Sequence, residues 1–248
     1  MSLLKIASVA CLALTLGACQ SLFQPSYQKP LQSTSDKSEQ IKPGCSNQDC
    51  PLVNIDTVHF ADEPQLDALI EKRLLQMTRT TADQAVPATL SAYREKFLRE
   101  ADSRNSMYLQ AKVREQHDGL VIIELASYLD TGGAHGTPGR GFINYSRELH
   151  KELTLSDMLR PGQEAAFWKA AQVAHNSWLI STKLDQEPEF IKSWPFQKTP
   201  NVALTYGGVI LKYNVSVIAP YALGHIELKI PYNRLNGILK PELFPGRN

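Results

Sequence analysis

The stretch Tyr128–Arg140, YLDTGGAHGTPGR, gathers glycines around one histidine at the end of an apolar run, and such loops serve several chemistries. A phosphate cradle needs GxxxxGK followed by Ser or Thr, or GxGxxG where a strand enters a helix. Neither spacing is present, and a strand pattern follows the loop. A metal site needs three or four ligands. His135 is the only imidazole nearby, and His59, His117, His150, His175 and His225 show no HxH or HExxH spacing. Acyl transfer needs an activated nucleophile beside a base. Asp130 and His135 would supply part of a dyad, but no GxSxG occurs and no serine is marked as their partner. A glycosidase carboxylate pair leaves no local signature, because any two carboxylates can meet in space. The residues therefore select no catalytic set, no metal and no cofactor. Two readings of Gly132, Gly133 and Gly136 stay open. They permit positive φ and close backbone approach, with His135 bracketing the loop, or they present backbone groups to a partner.

The four cysteines divide by position. Lys5 provides a positive start and Ile6–Leu16 an apolar run, too short for the ~20 residues that span a bilayer but suited to a secretory signal. Cys11 lies within that run. Leu16-Gly17-Ala18-Cys19 resembles a bacterial lipobox, so residues 1–18 are expected to be removed and Cys19 to carry the acyl chains. Several acyl chains anchor durably, at about 0.8 kcal/mol per buried CH₂. Gln20 stands where an Asp would favour inner-membrane retention, which points to the outer membrane, with the domain facing the periplasm. Cys45 and Cys50 remain, and an oxidising compartment predicts a disulfide between them. A formal charge of +1, from 26 Lys and Arg against 25 Asp and Glu, gives no basic excess of the kind nucleic-acid binders carry.

The elements that must position these residues follow from periodicity. Residues 19–44 are polar and aperiodic and are expected to form a lipidated, disordered tether, leaving 45–248 as one domain. LVNIDTVHF (52–60) alternates as a strand; PQLDALIEKRLLQM (64–77) places Leu66, Leu69, Ile70, Leu74 and Met77 on one helical face. A second helix is expected over 88–101, with Leu90, Tyr93, Phe97 and Leu98 inward. MYLQAKVREQ (107–116) and LVIIELASYL (120–129) flank an Asp118-Gly119 turn, a preferred hairpin pair. GFINYSRELH (141–150) reads as a further strand. A helix is expected from about Gln163, with Phe167, Ala170, Ala171, Ala174 and Trp178 on one face. Strands return at 202–207, 208–217 and 225–235. Mixed elements without regular β-α-β alternation predict an α+β fold, an antiparallel sheet with helices packed on it.

Three segments in this order, TGGAHG (131–136), KELTLSDML (151–159) and APYALGHIELKIPYNRL (219–235), resemble the RsiV-type extracellular domain. That domain is the sensor part of RsiV anti-sigma factors and also accompanies the catalytic domain of PdaC-type peptidoglycan deacetylases. The resemblance covers roughly residues 52–243 and implies an α+β domain outside the cytoplasmic membrane without catalytic residues of its own. It also implies a ligand related to the cell wall, a lysozyme-type muramidase or peptidoglycan. The chain departs from both parents: it shows no transmembrane helix, no sigma-binding segment and no room for a deacetylase domain. Pro220 and Pro231 suit strand edges, and Tyr221 and Tyr232 are amphipathic rings favoured at interfaces. Gly132, Gly133, His135, Pro220, Tyr221 and Tyr232 are the candidate ligand-binding residues, with His135 and Tyr221 central if the two motifs meet. The rival expectation is a periplasmic hydrolase of wall glycan, and the plainest one a structural envelope protein.

Overall fold

The structure, a computed structural model, describes residue 27 and residues 29–246. The signal segment, the lipobox and Cys19 lie outside the described residues. Six strands form one sheet in chain order: β1 (Thr34–Ile41), β2 (Leu52–His59), β3 (Ser106–His117), β4 (Leu120–Asp130), β5 (Thr137–Ser146) and β6 (Lys151–Glu152). Helices α1 (Pro64–Met77) and α2 (Leu90–Glu100) connect β2 to β3, which makes that pair parallel while the other neighbours run antiparallel. After the short α3 (Leu155–Met158) and the long α4 (Glu164–Ser181) come α5 (Pro188–Ser193) and a second, antiparallel sheet. It consists of β7 (Val202–Thr205), β8 (Gly208–Lys212) and β9 (Glu227–Ile230). The fold is α+β, as expected, with two sheets in place of one.

The strand period of two sorts residues between the faces of the large sheet. Val53, Ile55, Met107, Leu109, Val121, Ile123, Leu125, Ile143 and Tyr145 pack against Leu66, Ile70, Leu74, Tyr93 and Leu98 of α1 and α2. On the opposite face Leu120, Ile122 and Phe142 join the second sheet and Phe167, Trp168 and Ala171 of α4. The strands β7 and β8 are buried along their whole length, enclosed between the large sheet and α4. The Asp118-Gly119 turn has positive φ at both residues, 46° and 76°, as a two-residue hairpin turn of this kind requires. The sequence SD after Thr154 forms a capping box that starts α3, with the Thr154 side chain accepting from Asp157 N. Hydrogen bonds from the Thr154 hydroxyl and backbone hold the Asp157 carboxyl down at about 2.

The expected tether needs correction. Residues 34–41 pair with β2 over their full length, Thr34 opposite His59 and Ile41 opposite Leu52, so the folded part begins before residue 45. All but one residue of β1 is exposed, and an edge strand with solvent around it shows no hydrophobic alternation. Its cohesion comes from the backbone ladder and from the closed connection to β2. There Lys42 N donates to Pro51 O at 2.9 Å, and Cys45 and Cys50 form the expected disulfide. Ahead of β1, Gln116 exchanges two hydrogen bonds with the Leu31 backbone, at 2.8 and 3.0 Å. Arg147 donates to Lys29 O at 2.7 Å and lies over the Tyr27 ring. Tyr27 and residues 29–31 are therefore held at the β3–β4 turn. The strand expected over 141–150 also shifts: β5 starts at Thr137 and ends at Ser146, and His150 has φ of 47°, which no strand allows.

The second sheet is fastened to the first by Asn144 of β5. Its Nδ2 donates to Val202 O and its Oδ1 accepts from Leu204 N, both at 2.7 Å, so one amide seals the free edge of β7. Removing the side chain leaves a donor and an acceptor unpaired in a site only 3% exposed. Asn144→Ala is expected to destabilise the fold by about 3 kcal/mol. Urea unfolding should show a lower midpoint with an unchanged slope.

Candidate functional site

The β4–β5 connection, residues 131–136, takes its shape from the flanking strand ends. Asp130 Oδ1 accepts from Gly132 N at 2.8 Å, and Gly132 has φ of 77°, a left-handed conformation that glycine adopts without strain. Gly136 is required for space. A Cβ there would stand 2.4 Å from Tyr128 Cζ, inside any tolerable contact. The gap lets Gly136 N donate to the Tyr128 hydroxyl at 3.1 Å. A Cβ at Gly133 would meet nothing within 4 Å, and the residue lies open at the loop surface.

Across from this loop, Pro220 is in extended backbone, with ψ of 153°, and leads into a single 3₁₀ turn over Tyr221–Leu223. Gly224, at φ of 69°, closes that turn by donating to Tyr221 O at 2.9 Å. Tyr221 is thereby set against His135. The rings stack with centroids 4.2 Å apart and planes 26° from parallel. Both converge on one carbonyl: Tyr221 Oη donates to Gly136 O at 3.4 Å, and His135 Nδ1 lies 3.2 Å from the same oxygen. A carbonyl only accepts, so Nδ1 is the donor in that contact. The two motifs thus meet at Gly136, which serves as both the demanding turn and the seat of the ring pair.

The structure extends this cluster to residues not selected in the sequence. On the sheet face turned away from α1 and α2, Glu39, Asn54, Tyr108, Tyr128 and Pro138 form a cross-strand row. Lys37, Asp56, Gln110, Ala126 and Arg140 form the next. Tyr108 and Tyr128 meet edge to face at 6.3 Å, and Tyr108 is 40% exposed. Gln110 donates to Asp56 at 2.9 Å and Asn54 to Glu39 at 2.8 Å, so the polar row is ordered. The signal for Tyr108 was the alternation in MYLQAK, where Met107, Leu109 and Ala111 point inward and the tyrosine falls on the outward phase.

Tyr232 does not join this surface. Its hydroxyl donates to Thr205 O at 2.7 Å and its ring packs on Phe244. Thr205 ends at the β7–β8 turn, where Tyr206 meets His117 of the β3–β4 turn. That is the other end of β4, ~33 Å away for an 11-residue strand. Burial pushes the Tyr232 phenol well above its ordinary value. The amphipathic character read in Tyr232 is used inside the fold.

Carboxylates gather most closely at a four-charge cluster between the sheets. Arg114, at a β-bulge in β3, reaches Glu124 at 2.9 Å and Glu227 at 3.3 Å, and Lys212 bonds both same carboxylates, Glu227 at 2.9 Å. Burial would raise the Glu124 carboxyl, but the hydrogen bonds and charges of Lys212 and Arg114 outweigh it and hold it below its ordinary value. A carboxyl held ionised cannot act as a general acid near neutrality, so Glu124 does not supply the acid that glycoside hydrolysis needs. Elsewhere Glu63 accepts from Tyr145 Oη at 2.8 Å and faces His150 Nδ1 at 3.1 Å, with no nucleophile bonded to that histidine among the described residues. Among the described residues no group of three or more His, Cys, Asp or Glu is placed to hold a metal ion. No described helix is long and apolar enough to cross a membrane.

Two outcomes are expected. Gly136→Ala should displace Tyr128 and destabilise the fold by about 2 kcal/mol, read by thermal unfolding. For the charge cluster, a lowered folded pKa contributes stability that is present above the ordinary glutamate value, near 4.5, and lost as pH falls through the folded one. Glu124→Gln should therefore be less stable than the parent at neutral pH, and the gap should close on acidification below about 4.5, measured by urea unfolding across pH.

A family model described as a protein of unknown function, DUF3298, matches residues 156–233, from α3 through the PYALG segment to the turn after β9. The structure is similar to the crystal structure of a DUF3298 family protein from Pseudomonas aeruginosa PAO1. That protein is 63% identical, with a TM-score of 0.86, covering 90% of this chain and 100% of that one. A DUF3298 family member from Bacteroides fragilis NCTC 9343 shares the fold at 19% identity, with a TM-score of 0.70, covering 88% of this chain and 96% of that one. No curated protein matches the chain. At 63% identity over nine-tenths of its length, the chain belongs to the DUF3298 family.

Proposed function

We propose that this protein is a lipoprotein, anchored through Cys19 in the outer membrane, whose periplasmic domain binds a cell-wall-related ligand without catalysing its turnover. The ligand class is a lysozyme-type muramidase or peptidoglycan. The observation that carries the reading is the convergence of His135 and Tyr221 on Gly136, beside Tyr128 and Tyr108 on an open sheet face. Rings with polar tips on a rigid scaffold are the side chains that dominate recognition surfaces, and they stack well on sugar rings. Gly132, Gly133 and Pro220 frame the ring pair with exposed or half-buried backbone. The resemblance of TGGAHG and APYALGHIELKIPYNRL to RsiV-type domains supports the same surface, because both segments meet there. The RsiV-type assignment itself is part of the proposal.

The placement of the chain's entry supports a wall-facing orientation. Tyr27 and residues 29–31 are held at the β3–β4 turn, while the ring cluster lies at the far end of β4. Between Cys19 and Tyr27 the chain reaches at most about 28 Å when fully extended. An anchor at Cys19 would therefore hold the turn end toward the membrane and leave the rings on the distal side. The neutral balance of charges gives no long-range steering, so complementarity would be local.

The test uses the chain shortened to residues 27–248, which keeps β1. Calorimetry against c-type and g-type lysozymes and against purified peptidoglycan is expected to show saturable binding to one of them. Tyr221→Ala and Tyr128→Ala should each weaken it about tenfold or more. Loss of lytic activity on binding would identify an inhibitor or sensor of muramidases. Release of soluble fragments from peptidoglycan would favour the hydrolase reading, and absence of heat with every partner would overturn the proposal.

A further inference from the structure

On the helix side of the large sheet, at the same end as the ring cluster, α1 and α2 leave a cavity of about 220 Å³. It opens between Thr78 at the end of α1, the 79–89 connection, one face of α2 and Leu129 of β4. Its walls are of two kinds. Pro87, Phe97 and Leu129 provide an apolar floor. Around them stand Gln84, Tyr93 and Lys96, each with hydrogens to donate.

The polar groups are the informative ones. The Tyr93 ring is buried, while its hydroxyl stays open to solvent and makes no hydrogen bond among the described residues. Burial alone raises its phenol to about 12, without help from any neighbouring donor or charge. Gln84 uses its Oε1 to close the loop, accepting from Thr80 N at 2.7 Å and Thr80 Oγ1 at 3.0 Å, which leaves its amide hydrogens free. Lys96 forms no ion pair among the described residues, whereas Glu100, the one carboxylate of the wall, is paired with Arg99 at 3.2 Å. The cavity therefore offers donors and a cation over an apolar base.

We infer that this cavity is a binding site for a small organic anion, a carboxylate carried on a compact apolar or aromatic body. The apolar body would rest on Phe97 and Leu129, and the carboxylate would accept from Tyr93, Lys96 and the Gln84 amide. The site is separate from the proposed wall-binding surface, since Leu129 and Tyr128 point to opposite faces of β4. A cation of similar shape would meet Lys96 and be refused, and a neutral alcohol would gain only part of the bonding.

The test is fluorine NMR on the full chain in a nonionic detergent, with para-fluorobenzoate as the probe and para-fluorobenzylammonium as its cationic match. Para-fluorobenzoate is expected to bind saturably and the ammonium not to bind. Lys96→Met should weaken binding about tenfold and Tyr93→Phe about fivefold, the loss of one charge-assisted hydrogen bond each. Ala85→Trp, at an exposed position of the wall, fills the space and should abolish binding while leaving the thermal midpoint unchanged. The inference is overturned if the carboxylate does not bind, if both probes bind alike, or if binding is the same in the parent and in Ala85→Trp.

Discussion

Two sheets of unequal size must share one core, and a backbone edge has to be closed where they join. Asn144 does this with a single amide that substitutes for a missing strand partner, bonding Val202 O and Leu204 N of β7. With that edge sealed, β7 and β8 can be buried on both faces without unpaired backbone groups. Burial of the small sheet in turn gives α4 an apolar floor for Phe167 and Ala171. The Arg114–Glu124–Lys212–Glu227 cluster lies farther out along the same junction, where partial exposure makes ionic pairing less costly than in a dry core.

The small sheet also determines which part of the large one stays open. It covers the half of β3–β5 nearer the β3–β4 turn, where Glu124 and Asn144 are occupied, and leaves Tyr108, Tyr128 and the polar rows beyond it accessible. The connection from β8 to β9 then returns past the open half and delivers Pro220 and Tyr221 to the β4–β5 loop. The ring cluster is thus built from three places in the chain and supported by strand ends. Precision comes from Gly136, whose missing Cβ lets Tyr128 approach and whose two peptide groups bond three rings.

The interior uses several of its polar side chains as structural connectors. Glu63 links Tyr145 and His150, Tyr232 links β7 to the C-terminal turns, and His117 reaches Leu204 O at 2.8 Å. Each such tie engages a titratable or aromatic group in holding the scaffold together. The hydroxyl of Tyr93 and the rings over Gly136 stand apart, since they border space.

The sequence by itself determined the elements whose periodicity is one-sided. The 3.6-residue pattern of Leu66, Ile70 and Leu74 places α1, and the alternation through Met107 and Leu109 with Asp118-Gly119 specifies the β3–β4 hairpin. Cys45 and Cys50, the pair left once Cys11 and Cys19 were placed in the expected signal segment and lipobox, form the disulfide predicted for them. Only the tertiary structure decided β1, because an exposed edge strand carries no hydrophobic phase and is held by backbone bonds that any residue can make. It alone separated Tyr221 from Tyr232, two tyrosines that each follow a proline in one motif. One is turned to the surface against His135 and the other tied to Thr205, a choice made by long-range contacts. Local residue type sets what a side chain can do, and the neighbours brought to it from distant chain decide which of those possibilities is used.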